Sequence, residues 1–159
     1  MNKWLYRGKP LIKIPEGKFG FIYKVTCLQH EYYGGYTYIG QKAFYSVTHP
    51  RLSKKASHEE WVQRGSKRGS KPKKREVIKE SKWQEYKTSS KTLNALIEEI
   101  GESAFKFEIL EFASSRSWLN YLETSWIIKE DQLFTESFNG WISVKVTRQG
   151  LKDEDFKIN

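Results

Sequence analysis

Gly20-Phe21-Ile22-Tyr23-Lys24-Val25-Thr26-Cys27 and Tyr36-Thr37-Tyr38-Ile39-Gly40-Gln41-Lys42 are the stretches that decide the fold. The first is dense in β-branched and aromatic residues and reads, from Phe19 to Leu28, as a buried strand. Glu31-Tyr32-Tyr33-Gly34-Gly35 supplies a turn, and the second stretch returns from it. The connection is too short for a crossover helix, so the pair is expected to be an antiparallel hairpin.

Further along, Leu93, Leu96, Ile97 and Ile100 put one apolar face on a helix over Thr92–Ile100, with Ser89 or Ser90 as its cap and Gly101 at its end. Phe105 to Leu110 alternates and predicts a third strand. Ser114 or Ser115 opens a second helix to about Lys129, with Leu119, Leu122 and Trp126 expected inward. A turn at Phe138-Asn139-Gly140 leads into a possible short strand to Val144. The fold class is therefore α+β: a small antiparallel three-stranded sheet flanked by helices. Residues 1–18 read as an arm or a short strand, 19–146 as the main domain, and 147–159 as a surface tail.

The 159 residues carry a net charge of +9, and it is not evenly spread. Residues 51–91 hold 14 basic and 5 acidic side chains, while the rest of the chain is balanced at 14 of each. The surplus is densest from Arg64 to Arg75, where Gly, Ser and Pro favour an open, hydrated chain. Residues 51–91 read as a basic insertion into a charge-neutral core. Phosphate backbone is the usual partner of such a run, because binding releases condensed counterions. Lys54, Lys55, Arg64, Lys67, Arg68, Lys71, Lys73, Lys74 and Arg75 are the expected DNA contacts. Ser89 and Ser90 join them, since a helix start can present hydroxyls and N–H groups to phosphate. A flexible solubilising loop is the plainer alternative. Trp83 and Tyr86, three apart, are expected to dock their segment on the core rather than to stack on bases.

No stretch approaches the length of a membrane span, and the start lacks the apolar core of a signal peptide. A single cysteine, Cys27, fits a reducing compartment, so the cytoplasm is expected. A structural zinc site is not expected from one Cys and no close pair of His. Glu123 stands out because it lies on the apolar face of its own helix, four after Leu119 and three before Trp126. A carboxylate there is paired, binds a metal, or walls a cleft.

Gly20-Phe21-Ile22-Tyr23 followed by Tyr38-Ile39-Gly40 resembles the signature of the GIY-YIG nuclease superfamily, in which two short strands bear two tyrosines. Leu122-Glu123-Thr124-Ser125-Trp126-Ile127 and Ser137-Phe138-Asn139-Gly140 are similar to its metal-binding glutamate helix and its late asparagine. The stretch Ser89 to Leu93, with Gly101 and Phe107 to Leu110, is similar to phage-borne homing members. The resemblance covers roughly Phe19 to Val146.

That resemblance implies a metal-dependent DNA endonuclease, with double-stranded DNA as partner and no obligate protein partner. It implies one Mg²⁺ or Mn²⁺ ion held by Glu123, with Tyr23 as first choice for general base and Tyr38 assisting. Tyrosine's ordinary pKa near 10 requires a neighbouring cation for this. The family's catalytic arginine belongs on a helix soon after the second motif, where Pro50 interrupts any helix. Arg51, Lys42 and Arg64 are the candidates for its place, and His49 is a further candidate base or phosphate contact. Asn139 is expected to position Glu123 or a phosphate. A DNA-binding module that kept the fold and lost the chemistry is the competing expectation, and an RNA- or structure-specific binding protein is a third.

Overall fold

The computed structural model describes residues 3–65 and 69–142. Lys67 and Arg68, the end of the strand expected to reach Val144, and the 147–159 tail lie outside the described residues. In chain order the strands and α-helices are β1 (Leu5–Tyr6), β2 (Lys9–Pro10), β3 (Gly20–Cys27), β4 (Thr37–Ala43), β5 (Tyr45–Thr48), α1 (Lys54–Gln63), β6 (Val77–Glu80), α2 (Lys91–Ile100), β7 (Phe105–Ala113) and α3 (Arg116–Lys129). No helix among the described residues is long and apolar enough to cross a membrane.

The chain forms two compact units, one from 1–44 with 81–159 and one from 45–80. The first unit carries a five-stranded sheet in the order β2-β1-β7-β3-β4. The expected antiparallel trio, β4, β3 and β7, lies side by side within it. The sheet is larger than predicted because the N-terminal arm adds β1, parallel to β7, and β2 beyond it. Two-residue strands are too short to show alternation in a sequence. Their turn does have a local cause: Arg7 and Gly8 both adopt positive φ, 51° and 78°, as a two-residue hairpin of this kind requires. The arm is anchored by Trp4, which is fully buried. Its ring meets Phe21 and Phe107 edge-on at 5.2 and 5.3 Å, and its Nε1 donates to the Trp83 carbonyl at 3.1 Å.

Period-two alternation assigns the two faces of the sheet. Phe21, Tyr23 and Val25 pair with Lys42, Gly40 and Tyr38 on one face. Phe21 and Tyr23 meet Trp4 there, and Phe21 also meets Phe44 and Trp83. Ile22 and Lys24 share the other face with Gln41 and Ile39. That face receives α3, through Gln41 bonding to Asn120 and Glu123 and through the Lys24–Glu130 ion pair. Gly20 is required for this contact: a Cβ on it would lie 2.8 Å from Leu119 Cδ1 and 2.5 Å from the Lys42 carbonyl. Among the residues expected inward on α3, Leu119 is fully buried, while Leu122 and Trp126 are half-exposed. Ile127 takes the second buried place, because the row Leu119, Glu123, Ile127 faces inward at a spacing of four. α2 buries Leu93, Leu96 and Ile97 and is capped by Ser90, whose Oγ accepts from the Leu93 N–H.

The second unit spans 45–80, where the expected insertion spans 51–91. It ends at Glu80, because Trp83 and Thr88 are buried in the first unit. β5 and β6 form a two-stranded antiparallel ribbon in register from Tyr45↔Glu80 to Thr48↔Val77. The part of the basic run expected to be open chain is paired instead. Leu52 N donates to the Lys73 carbonyl, Arg75 N donates to Pro50, and Arg51 bridges Lys74. The helix α1 starts after Pro50, on an N-cap at Ser53 that accepts from Ala56 N, and buries none of its residues.

Candidate active site

The catalytic candidates gather at β4, which is the outer edge of the sheet. Tyr38 and Lys42 project from the face shared with Tyr23, while Glu123 reaches the same edge from α3 on the opposite face. A cleft of about 520 Å³ runs along this edge, and its lining includes Tyr38, Ser89, Ser90, Lys91, Glu123 and Asn139. The expected tyrosine, glutamate and asparagine thus open onto one space.

Tyr23, the first choice for general base, is fully buried. Its hydroxyl lies 3.3 Å from that of Tyr86, and the rings of Tyr38 and Tyr86 flank it, with centroids 6.1 and 5.9 Å from that of Tyr23. Gly40 makes this arrangement possible. A Cβ there would sit 2.6 Å from Tyr23 Cζ and 2.9 Å from Tyr38 Cε1. Tyr38, half-exposed like Tyr86, shares a 2.8 Å hydrogen bond with Ser89 Oγ. All three phenols are pushed above their ordinary pKa, first of all by burial. They are therefore neutral hydroxyls near neutral pH.

Lys42 is the cationic candidate that the structure places beside these tyrosines. Its Nζ lies 4.4 Å from the centre of the Tyr86 ring. Burial, and then the positive charge of Arg116, push its ammonium below the usual range. His49, Arg51 and Arg64 belong to the second unit. There His49 Nε2 lies 3.5 Å from Glu76, and Arg64 pairs with Glu60 at 3.6 Å. Lys54, Lys55, Lys71, Lys73, Lys74 and Arg75 are in the same unit, and all but the half-buried Pro72 along that last run are exposed.

Glu123 is half-buried, and burial raises its carboxyl above the usual carboxylate range. One hydrogen bond opposes that: Gln41 Nε2 donates to Glu123 Oε2 at 2.9 Å. The same nitrogen donates to Asn120 Oδ1 at 2.9 Å, while Gln41 Oε1 is buried without a partner. A single carboxylate beside an unsatisfied carbonyl oxygen is an all-oxygen donor set suited to Mg²⁺ or Mn²⁺. No cluster of three or more His, Cys, Asp or Glu exists among the described residues, so softer ions have no nitrogen or sulfur ligand set there.

Asn139 spends its amide on the edge strand rather than on Glu123. Its Oδ1 accepts from Ile39 N and its Nδ2 donates to the Ile39 carbonyl, both at 2.8 Å. The amide thus satisfies the outward backbone groups of the edge strand. Ser90 spends its hydroxyl as the α2 cap, while Ser89 faces Tyr38. Gln41, Asn120 and Arg116 are site residues that the sequence does not single out, and Tyr86 is expected there only to dock its segment on the core. Tyr86 reaches Tyr23 across 63 positions, which no local pattern announces. Asn120, three before Glu123 on the same helix, is the one with a legible signal.

No curated protein and no solved structure matches the chain. The family model described as "Putative endonuclease segE, GIY-YIG domain" matches residues 4–142. That span includes both tyrosine motifs, the glutamate helix and Asn139, and the chain belongs to the GIY-YIG endonuclease family.

Proposed function

We propose that this chain is a divalent-metal-dependent endonuclease that hydrolyses double-stranded DNA, of the homing type carried by phages and mobile elements, and that it acts in the cytoplasm of the host cell. The observation that carries this reading is the shared cleft at the β4 edge into which Tyr38, Ser89, Glu123 and Asn139 open. Glu123 would hold one Mg²⁺ or Mn²⁺, an ion that keeps most of its waters and takes further oxygens from phosphate. Such an ion, when bound, polarises the scissile phosphate and stabilises the leaving oxygen.

The chain's own groups do the rest. Tyr38 is the phenol open to the cleft, and its contact with Ser89 fixes where its hydroxyl points. It orients the attacking water and, once the cluster has released one proton to solvent, its phenolate takes a proton from that water. Tyr23, buried, and Tyr86, half-exposed, back it through their paired hydroxyls. Their raised pKa means the cluster gives up a proton only beside a cation, and Lys42 is that cation. Lys42 also offsets charge developing on the phosphate. Asn139 acts at a distance, by pinning Ile39 and hence the edge strand that carries Tyr38 and Lys42. The exposed cations of the second unit bind the phosphate backbone, a contribution that weakens as salt rises.

Plasmid nicking with Mg²⁺ against EDTA, for the native protein and Glu123→Ala, tests the reading. The native protein should nick only with the metal, and the variant should not nick. Equal and metal-independent behaviour of both would leave a DNA-binding module without chemistry.

A further inference from the structure

Gln41 occupies an unusual position. It lies on the edge strand, between the tyrosine face and the glutamate helix, and its amide crosses to α3. Both hydrogens of Nε2 are spent, one on Glu123 Oε2 and one on Asn120 Oδ1, each at 2.9 Å. An ionised carboxylate only accepts, so it dictates which end of the amide faces it. The other end, Oε1, is then left buried with no donor. A buried acceptor without a partner is costly and uncommon in a native fold. Turning the amide would not relieve it, because Oε1 would then face the carboxylate. The orphaned oxygen sits two bonds from the nitrogen that grips Glu123, on the same side chain.

We propose that Gln41 is the second protein group of the metal site. Its amide nitrogen aims the Glu123 carboxylate, and its side-chain carbonyl supplies a second oxygen to the divalent ion. This rests on the metal-dependent reading of the cleft. It also gives a reason for an unsatisfied acceptor that the fold by itself does not supply: the missing partner is a cation. Asn120 belongs to the arrangement as the group that keeps the Gln41 amide from rotating.

The test is Mn²⁺ binding to the whole protein without DNA, followed by electron paramagnetic resonance, for the native chain, Glu123→Ala, Gln41→Met and Gln41→Glu. Thermal melting checks that each is folded. Gln41→Met keeps the length and removes both polar ends, and should weaken Mn²⁺ by roughly tenfold or more. Gln41→Glu sets a second carboxylate against the first, and should bind Mn²⁺ more tightly than the native chain. A residue with a merely structural role would shift both variants the same way. If Gln41→Met and Gln41→Glu bind like the native chain while Glu123→Ala loses the ion, the role of Gln41 is overturned and the metal reading stands. If Glu123→Ala binds as the native chain does, both fall.

Discussion

The two units of this chain are built from opposite materials. The first buries Trp4, Phe21, Tyr23, Phe44 and Trp83 in one aromatic cluster, and places its ionisable site groups where burial shifts them. The second has a helix with no buried residue and carries its cations in water. A buried group has its protonation and direction set by its neighbours. An exposed lysine keeps its charge and bends to meet a phosphate. Under the proposed function, that difference gives chemistry to the first unit and grip to the second.

That division can be broken by experiment. The largest effect is expected from Glu123→Ala, which should drop cleavage to background while DNA binding in a gel-shift assay stays near native. Loss of both together would deny the separation. Replacing Lys71, Lys73, Lys74 and Arg75 with Ser should do the reverse. The salt dependence of binding should flatten by about 0.9 for each phosphate no longer neutralised, up to ~3–4 in the log–log slope, with single-turnover cleavage at saturation little changed. Next comes Gly40→Ala, a change of one methyl that crowds Tyr23 and Tyr38. It should cost ~1–3 kcal/mol by chemical denaturation and cut activity as the phenols shift. An equal loss of stability with full activity would show that the phenol arrangement is not critical.

The smallest effects concern the carboxylate's own titration. Burial raises the Glu123 pKa, so the folded state binds its proton more readily than the unfolded chain. Its contribution to stability is complete below the unfolded value and is lost as pH rises through the folded one. Glu123→Gln should therefore melt a few degrees above the native protein at neutral pH, with the gap closing in mild acid. Cleavage should run oppositely, falling as pH drops through the same raised pKa, because the ion needs the carboxylate ionised. A melting gap that widened in acid would contradict the sign.

The elements with strong periodicity were legible. Leu93, Leu96, Ile97 and Ile100 announced α2, and the helix runs from Lys91 to Ile100 between Ser90 and Gly101. The tyrosine hairpin was legible in both strands and in its turn. The two-residue strands of the arm were not, since their stability comes from Trp4 meeting Phe21, Phe107 and Trp83, far away in sequence. The basic run concealed its pairing, because Lys73 and Arg75 bond through their backbones and no side-chain pattern marks them. In the site, Glu123 was readable as a carboxylate on an apolar face. Gln41 was not, because a polar residue on an edge strand is ordinary until its partner on α3 is seen.

β4 carries its tyrosine and lysine on one face and its glutamine on the other. The jaws of the candidate active site are therefore separated by the thickness of a single strand. Their spacing does not depend on a loop or a hinge, but their identity depends on alignment. Slipping β4 by one residue against β3 would turn Tyr38 and Lys42 toward α3 and present Ile39 and Gln41 to the buried tyrosine. The amide of Asn139, clasping Ile39 at both ends, works as a register lock. An asparagine in the cleft wall can in this way also decide which side chains of the edge strand face that cleft.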